Sequence, residues 1–138
     1  MIRRIAHIAI ATDSIAVTSH FYKSLGLELD RVEVVSDQKV KVAVMRIGDS
    51  AIEFIEPTDS DSPIGSFLSK RGSGLHHISL EVDDLAARLE DLKARDVRLI
   101  DEQPRVGAGG RLIAFVHPDS TGGVLIELTE NAEGEANS

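Results

Sequence analysis

Apolar and polar residues alternate along the first segment of the chain. Ile8 and Ile10 fall on one side of an extended segment, while Ile5, His7 and Ala9 fall on the other, a pattern typical of a half-buried β-strand. Three later segments predict a meander of strands over Leu27 to Val35, Val40 to Ile47 and Ala51 to Glu56, with Gly48-Asp49 as a hairpin turn.

A helical pattern lies between the first two of these strands, from about residue 14 to 25. Asp13 or Ser14 is a suitable N-cap, since a short side-chain oxygen can accept a bond from a free amide of the first turn. The apolar positions expected to be buried are Ile15, Phe21, Tyr22 and Leu25.

The chain contains an internal repeat. Ile5-Ala-His7-Ile-Ala-Ile10 recurs 70 residues later as Leu75-His-His77-Ile-Ser-Leu80, and Gly48-Asp-Ser-Ala-Ile-Glu53 recurs 74 residues later as Gly122-Gly-Val-Leu-Ile-Glu127. The larger offset requires about four extra residues in the second copy, which we assign to the Gly-rich run 105–111. A repeat of this kind predicts two copies of one structural unit.

The second copy predicts the same order of elements as the first. Asp84 is the expected N-cap, and Leu85, Leu89 and Leu92 recur at helical spacing. The predicted strands after this helix are Val97 to Asp101, Arg111 to His117 and Val124 to Thr129.

These elements predict an α+β fold in which two βαβββ modules pair into an open, cleft-forming mixed sheet with helices on its outer face. We expect one domain over residues 1–130, with modules at 2–57 and 74–130. The linker 58–73 carries apolar residues that predict a short helix, and the tail 131–138 has nothing to bury and should be disordered.

The alternation divides the side chains between the two faces of the predicted sheet. The helix side receives His76 and a set of apolar residues: Ile8, Ile10, Ile52, Phe54, Ile78, Leu80, Val124, Ile126 and Leu128. The opposite face receives one imidazole and one carboxylate from each copy: His7, Glu53, His77 and Glu127. Nitrogen and carboxylate ligands in this number suit a divalent metal ion. Each of the four, taken alone, is equally compatible with a solvated surface position.

Composition excludes several other classes of function. The 138 residues have a net charge of −8, which argues against a nucleic-acid groove. The chain has no cysteine, so disulfides and thiolate chemistry are absent. No stretch is long and apolar enough to cross a membrane, and we expect a soluble, cytoplasmic protein.

Several segments of the sequence resemble the vicinal oxygen chelate (glyoxalase/bleomycin resistance/dioxygenase) superfamily over residues 2–130, and within it most resemble the methylmalonyl-CoA epimerases. These segments are His7-Ile-Ala-Ile-Ala, Phe21-Tyr22-Lys, Asp61-Ser-Pro-Ile-Gly-Ser-Phe67-Leu, Gly74-Leu-His-His77-Ile and Val116-His-Pro118 through Gly123-Val-Leu-Ile-Glu127-Leu. The resemblance implies that His7, His77 and Glu127 bind a metal ion, with Glu53 in the fourth position. A second glutamate base of some members is replaced here by Val42.

The resemblance also implies a reaction. The expected activity is epimerisation of methylmalonyl-CoA, with Glu127 and Glu53 as the two proton-transferring groups. The implied cofactor is a divalent metal ion, cobalt first, with manganese, nickel or zinc as alternatives. The implied substrate is an acyl-CoA. Apart from the resemblance, we expect a homodimer, because two-fold pairing is the commonest arrangement, and neither nucleic acid nor a membrane as a partner. Candidate cations for the coenzyme A tail are Lys70, Arg71, Arg105 and Arg111.

Two alternatives remain open. The ligand order His, Glu, His, Glu also occurs in some glyoxalase I enzymes, although the second copy lacks the Asp-Pro-Asp-Gly ending of that enzyme and has Val116-His-Pro-Asp-Ser instead. A non-enzymatic binding protein of the same fold is the other alternative, and it would not need four metal ligands.

Overall fold

The structure, a computed structural model, describes residues 2–130. The predicted disordered tail, 131–138, lies outside the described residues. The strands and α-helices of the described chain follow in the order β1 (Ile2–Ala11), α1 (Ile15–Ser24), β2 (Leu29–Val35), β3 (Val40–Ile47), β4 (Ser50–Pro57), α2 (Pro63–Arg71), β5 (Gly74–Val82), α3 (Leu85–Ala94), β6 (Arg105–Val106), β7 (Leu112–Val116) and β8 (Ile126–Glu130). The α+β class predicted from the sequence is confirmed.

The chain divides into two compact units. One comprises residues 7–76, and the other comprises residues 2–6 together with 77–130. The short helix predicted in the linker is α2, and it belongs to the first of these units. No helix among residues 2–130 is long and apolar enough to span a bilayer.

In the unit of residues 7–76 the strands lie in the order β2-β3-β4-β1. β1 runs parallel to β4, whereas β3 is antiparallel to both of its neighbours. One face of these strands forms an apolar core of Ile15, Ala43, Met45 and Phe54, with Ile10, Tyr22, Leu27, Leu29 and Ile52 packed around it. The core therefore lies between α1 and the strands.

The other unit repeats this arrangement with the strand order β5-β8-β7-β6. β5 runs parallel to β8, and β7 is antiparallel to β8 and β6. Its core consists of Val82, Leu85, Leu89, Ala114, Val116 and Leu128, with Leu80, Leu92, Val97, Leu99 and Ile126 packed around it. Here α3 takes the place that α1 has in the first unit.

The helix ends show why these segments become helices. Ser14 caps α1 by accepting from the Val17 amide, and Asp84 caps α3 by accepting from the Ala87 amide. Each helix also receives a glutamate from the end of the paired strand. Glu56 accepts from the Ile15 amide at 3.1 Å, and Glu130 accepts from the Leu85 amide at 2.8 Å. A carboxylate at a helix N-terminus satisfies a free amide and is favoured by the helix dipole.

The prediction of a strand over Val97 to Asp101 is wrong. Only Leu99 forms a bridge, to Val116. Pairing stops there because the amides of Ile100 and Asp101 both donate to the Phe115 carbonyl, while the Asp101 carboxylate accepts from the Phe115 amide. The strand that pairs with β7 is instead β6, at the start of the Gly-rich run.

Some predicted burial is also wrong. Phe21 and Leu25 are 61% and 65% exposed, so the buried face of α1 consists of Ile15, Ser19 and part of Tyr22. On the strands Val124 is 41% exposed because β8 begins only at residue 126, and Ile8 is 37% exposed. The bounds of β3 are as predicted, and the ends of the other predicted strands lie within two residues of the observed ones.

Candidate metal and catalytic site

Each unit holds one of the predicted His–Glu pairs. In the unit of residues 7–76, His7 on β1 lies beside Glu53 on β4, with 3.1 Å between Nδ1 and Oε2. The two side chains are 12% and 11% exposed. A carboxylate at Nδ1 fixes the orientation of an imidazole ring and leaves its Nε2 directed elsewhere, as is usual for metal-binding histidines.

The second pair lies deeper. His77 on β5 and Glu127 on β8 are only 4% and 7% exposed, and 3.7 Å separates Nε2 from Oε2. This distance is too long for a hydrogen bond. It is close to the roughly 3 to 3.5 Å between two ligands on one ion, given metal–ligand bonds of about 2.1 Å. The donor set and its spacing therefore fit a divalent metal ion.

The two pairs are placed by the same strand register. β1 and β4 pair Ala9 with Glu53, and β5 and β8 pair Ser79 with Glu127. The histidine lies two residues before the paired position in both cases. Because side chains alternate along a strand, residues two apart share a face, so each histidine and its glutamate point to the same side. The repeat seen in the sequence is thus a repeat of strand register within each unit, although the two pairs differ in the nitrogen that faces the carboxylate.

An aromatic and a cation border the second pair. Phe115 on β7 lies directly opposite Glu127 in the antiparallel register, and its ring stands edge-on to that of His77 at 5.2 Å. The Arg105 guanidinium lies 5.6 Å from the Phe115 ring centroid and 3.2 Å from the Asp101 carboxylate. Arg105 is one of the cations predicted for substrate binding, and it places a positive charge near this pair.

The remaining histidines have other surroundings. His76 packs edge-on against Phe67 of α2 at 4.9 Å, with Arg71 over the same phenyl ring. Burial lowers the pKa of His76 to about 4, and the nearby Arg71 charge acts in the same direction. His117 accepts from the Asp119 amide at 3.0 Å and so caps the turn after β7. Both observations favour structural roles for these two rings.

Two buried polar residues of β5, Ser79 and Glu81, were not predicted as part of the site. Ser79 is fully buried between His77 and Glu81 on β5. Glu81 itself is buried and forms an ion pair with Arg4, whose Nε and Nη2 lie 3.2 and 3.0 Å from one carboxylate oxygen. His77, Ser79 and Glu81 are alternate residues of β5 and lie on one face. The alternation that identified His77 could therefore also have placed Ser79 and Glu81 on that face.

Comparison with known proteins agrees with this geometry. The sequence profile of the glyoxalase/bleomycin resistance protein/dioxygenase superfamily matches residues 6–115. The chain belongs to this superfamily.

Its similarity to individual members extends over nearly the whole chain. It is 46% identical to the uncharacterized protein YqjC of Bacillus subtilis, over 92% of this chain and 91% of that protein. It is 34% identical to the ethylmalonyl-CoA/methylmalonyl-CoA epimerase of Cereibacter sphaeroides, over 94% and 99%. A variant of the methylmalonyl-CoA epimerase of Streptomyces coelicolor, in complex with 2-nitronate-propionyl-CoA, superposes with a TM-score of 0.92 and 36% identity over 96% and 97%. The chain is thus an epimerase-like enzyme of this superfamily.

Proposed function

We propose that this protein epimerises methylmalonyl-CoA at the carbon between its thioester and carboxylate groups, using a divalent metal ion. The observation that carries this proposal is the occurrence of a His–Glu pair in the same strand register in both units. The similarity to epimerases, one of them in complex with an acyl-CoA, supports the choice of substrate.

The proposed ligands of the ion are His7, His77 and Glu127, which are the candidate metal ligands among the described residues, together with Glu53. A bound divalent ion acts as a Lewis acid that stabilises the negative charge developing on the substrate oxygens. Cobalt is our first choice of metal, with manganese, nickel and zinc as alternatives. Nitrogen and oxygen ligands are compatible with all four.

The chain's own carboxylates move the proton. One of the pair Glu53 and Glu127 removes the proton from the substrate carbon and becomes a carboxylic acid, leaving a planar enolate. The other, initially protonated, donates its proton to the opposite face, so the two groups exchange protonation states in each turnover. General acid–base catalysis of this kind contributes typically about 10²- to 10⁴-fold.

Exchange of solvent deuterium into each substrate epimer tests the assignment. Glu53→Gln should keep the metal ion and lose exchange by about 10²-fold or more in at least one direction, because an amide cannot take up the proton. Glu127→Gln should lose both metal binding and exchange. The matched control is Glu90→Gln on the exposed side of α3, which should behave as wild type. Wild-type exchange by Glu53→Gln in both directions would exclude Glu53 as a proton-transferring group.

A glyoxalase I-type conversion of hemithioacetals is the second candidate. The observation in its favour is Glu53, which gives two carboxylates and two imidazoles in the combination that resembles some of those enzymes. Metal-free protein reloaded with cobalt should epimerise methylmalonyl-CoA and leave a methylglyoxal hemithioacetal unchanged. The opposite pair of results would replace the first proposal with the second.

A further inference from the structure

Ser79 is a fully buried serine whose hydroxyl has no hydrogen-bond partner among residues 2–130. Buried polar groups in folded proteins almost always have a partner, so an unpartnered one calls for a physical explanation. Ser79 lies on β5 two residues after His77 and on the same face. Its position beside a proposed metal ligand is the explanation that we develop for its unpartnered hydroxyl.

The register places this hydroxyl beside Glu127. Ser79 and Glu127 are directly paired across the parallel strands β5 and β8, which lie about 4.8 Å apart. The Glu127 carboxylate has one oxygen, Oε2, 3.7 Å from Nε2 of His77. An ionised carboxylate has about four acceptor sites on its two oxygens, so it can accept a hydrogen bond in addition to its other contacts.

The other unit lacks this donor. The residue paired with Glu53 is Ala9, which is also fully buried and has no polar side-chain atom. The two glutamates therefore have the same backbone register but different neighbours. Of the two residues paired with these glutamates across the parallel strands, Ser79 has a hydroxyl and Ala9 has none.

We propose that Ser79 is a positioning residue for Glu127. When Glu127 holds the metal ion, the Ser79 hydroxyl would donate a hydrogen bond to the Glu127 carboxylate. Donors of this kind hold ligating carboxylates in one orientation, and their loss commonly weakens metal binding. This inference rests on the metal site proposed above.

The experiment is titration of the metal-free full-length chain with Co²⁺ by calorimetry, in the absence of substrate. Ser79→Ala should bind Co²⁺ about 10-fold or more weakly than wild type. Ser79→Thr keeps the hydroxyl and should bind within about threefold of wild type. The metal-free Ser79→Ala protein should unfold at the same or a higher temperature, because the substitution removes an unsatisfied buried group.

Ser19→Ala is the matched control, since Ser19 is equally buried but lies in α1. It should leave the Co²⁺ affinity unchanged. Equal affinities of wild type and Ser79→Ala would overturn the inference, as would equal losses in Ser79→Ala and Ser79→Thr, which would indicate packing. Failure of wild type to bind Co²⁺ would overturn the metal site itself, so the two failures are distinguishable.

Discussion

Arg4 and Glu81 form the most deeply buried Arg–carboxylate pair among the described ion pairs, with side chains 15% and 6% exposed. Two guanidinium nitrogens approach the same carboxylate oxygen. A buried pair of this kind adds little net stability, since both charges have lost their water. Removal of one partner is strongly destabilising, because the remaining charge stays buried without an opposite charge beside it.

Arg4→Met should therefore lower the free energy of unfolding by about 3 to 5 kcal/mol. The double variant Arg4→Met with Glu81→Gln should recover most of this loss, since no charge is left buried. Urea unfolding of the wild type, the two single variants and the double variant measures the coupling. Additive losses in the double variant would show that the pair does not interact as the structure indicates.

The site residues differ in how far the sequence could predict them. His7, Glu53, His77 and Glu127 follow from alternation together with the repeat, because a residue type that recurs in the same column is a stronger signal than one residue alone. The importance of Ser79 depends on what surrounds its hydroxyl, and no pattern in the sequence contains that information.

The C-terminal ends of α1 and α3 show how one turn is made with two different residues. Gly26 follows α1 with a φ of 96°, and Asp96 follows α3, 70 residues later, with a φ of 60°. The same bonds close both turns, since each of these amides donates to a lysine carbonyl, that of Lys23 or Lys93. Positive φ is readily adopted by glycine and is strained for a residue with a Cβ atom.

We therefore expect Asp96→Gly to raise the free energy of unfolding by about 0.5 to 1 kcal/mol. Gly26→Ala should have the opposite sign and lower it by about 1 kcal/mol. Thermal unfolding of both variants beside the wild type provides the measurement. A destabilised Asp96→Gly would mean that the aspartate side chain contributes more to this turn than its backbone strain costs.

Elements with strong local signals were predicted well. The N-cap of α3, the exact bounds of β3 and the presence of α2 all follow from residues within each segment. The segment 97–101 was mistaken for a strand because its apolar residues do alternate, and Leu99 does pack into the core. Hydrogen bonds between this segment and Phe115 replace further strand pairing. Because Phe115 is distant in the sequence, the local pattern of apolar residues does not predict these bonds.

For the molecule as a whole, the proposed metal ion should act as a stabilising ligand. Anything that binds only the folded state stabilises it, by about 2.7 kcal/mol when its concentration is 100 times the dissociation constant. For a domain of this size this corresponds to a rise of roughly 10 °C in the unfolding midpoint.

Thermal unfolding of metal-free protein with and without Co²⁺ tests this expectation. The wild type should show the rise, and a chelator should reverse it. His77→Gln should abolish the rise, because it removes a buried ligand, whereas His20→Gln on the exposed face of α1 should retain it. An undiminished rise in His77→Gln would place the ion elsewhere.

β1 is divided between the two compact units. Its first residues, 2–6, belong to the unit that otherwise consists of residues 77–130, while the rest of the strand belongs to the other unit. Residues 2–6 are thus synthesised before residues 7–76, whereas the rest of their unit is synthesised after them. A gene fragment that encodes only residues 77–138 omits Arg4, the ionic partner of Glu81, so we expect such a fragment to be a poor autonomous folding unit.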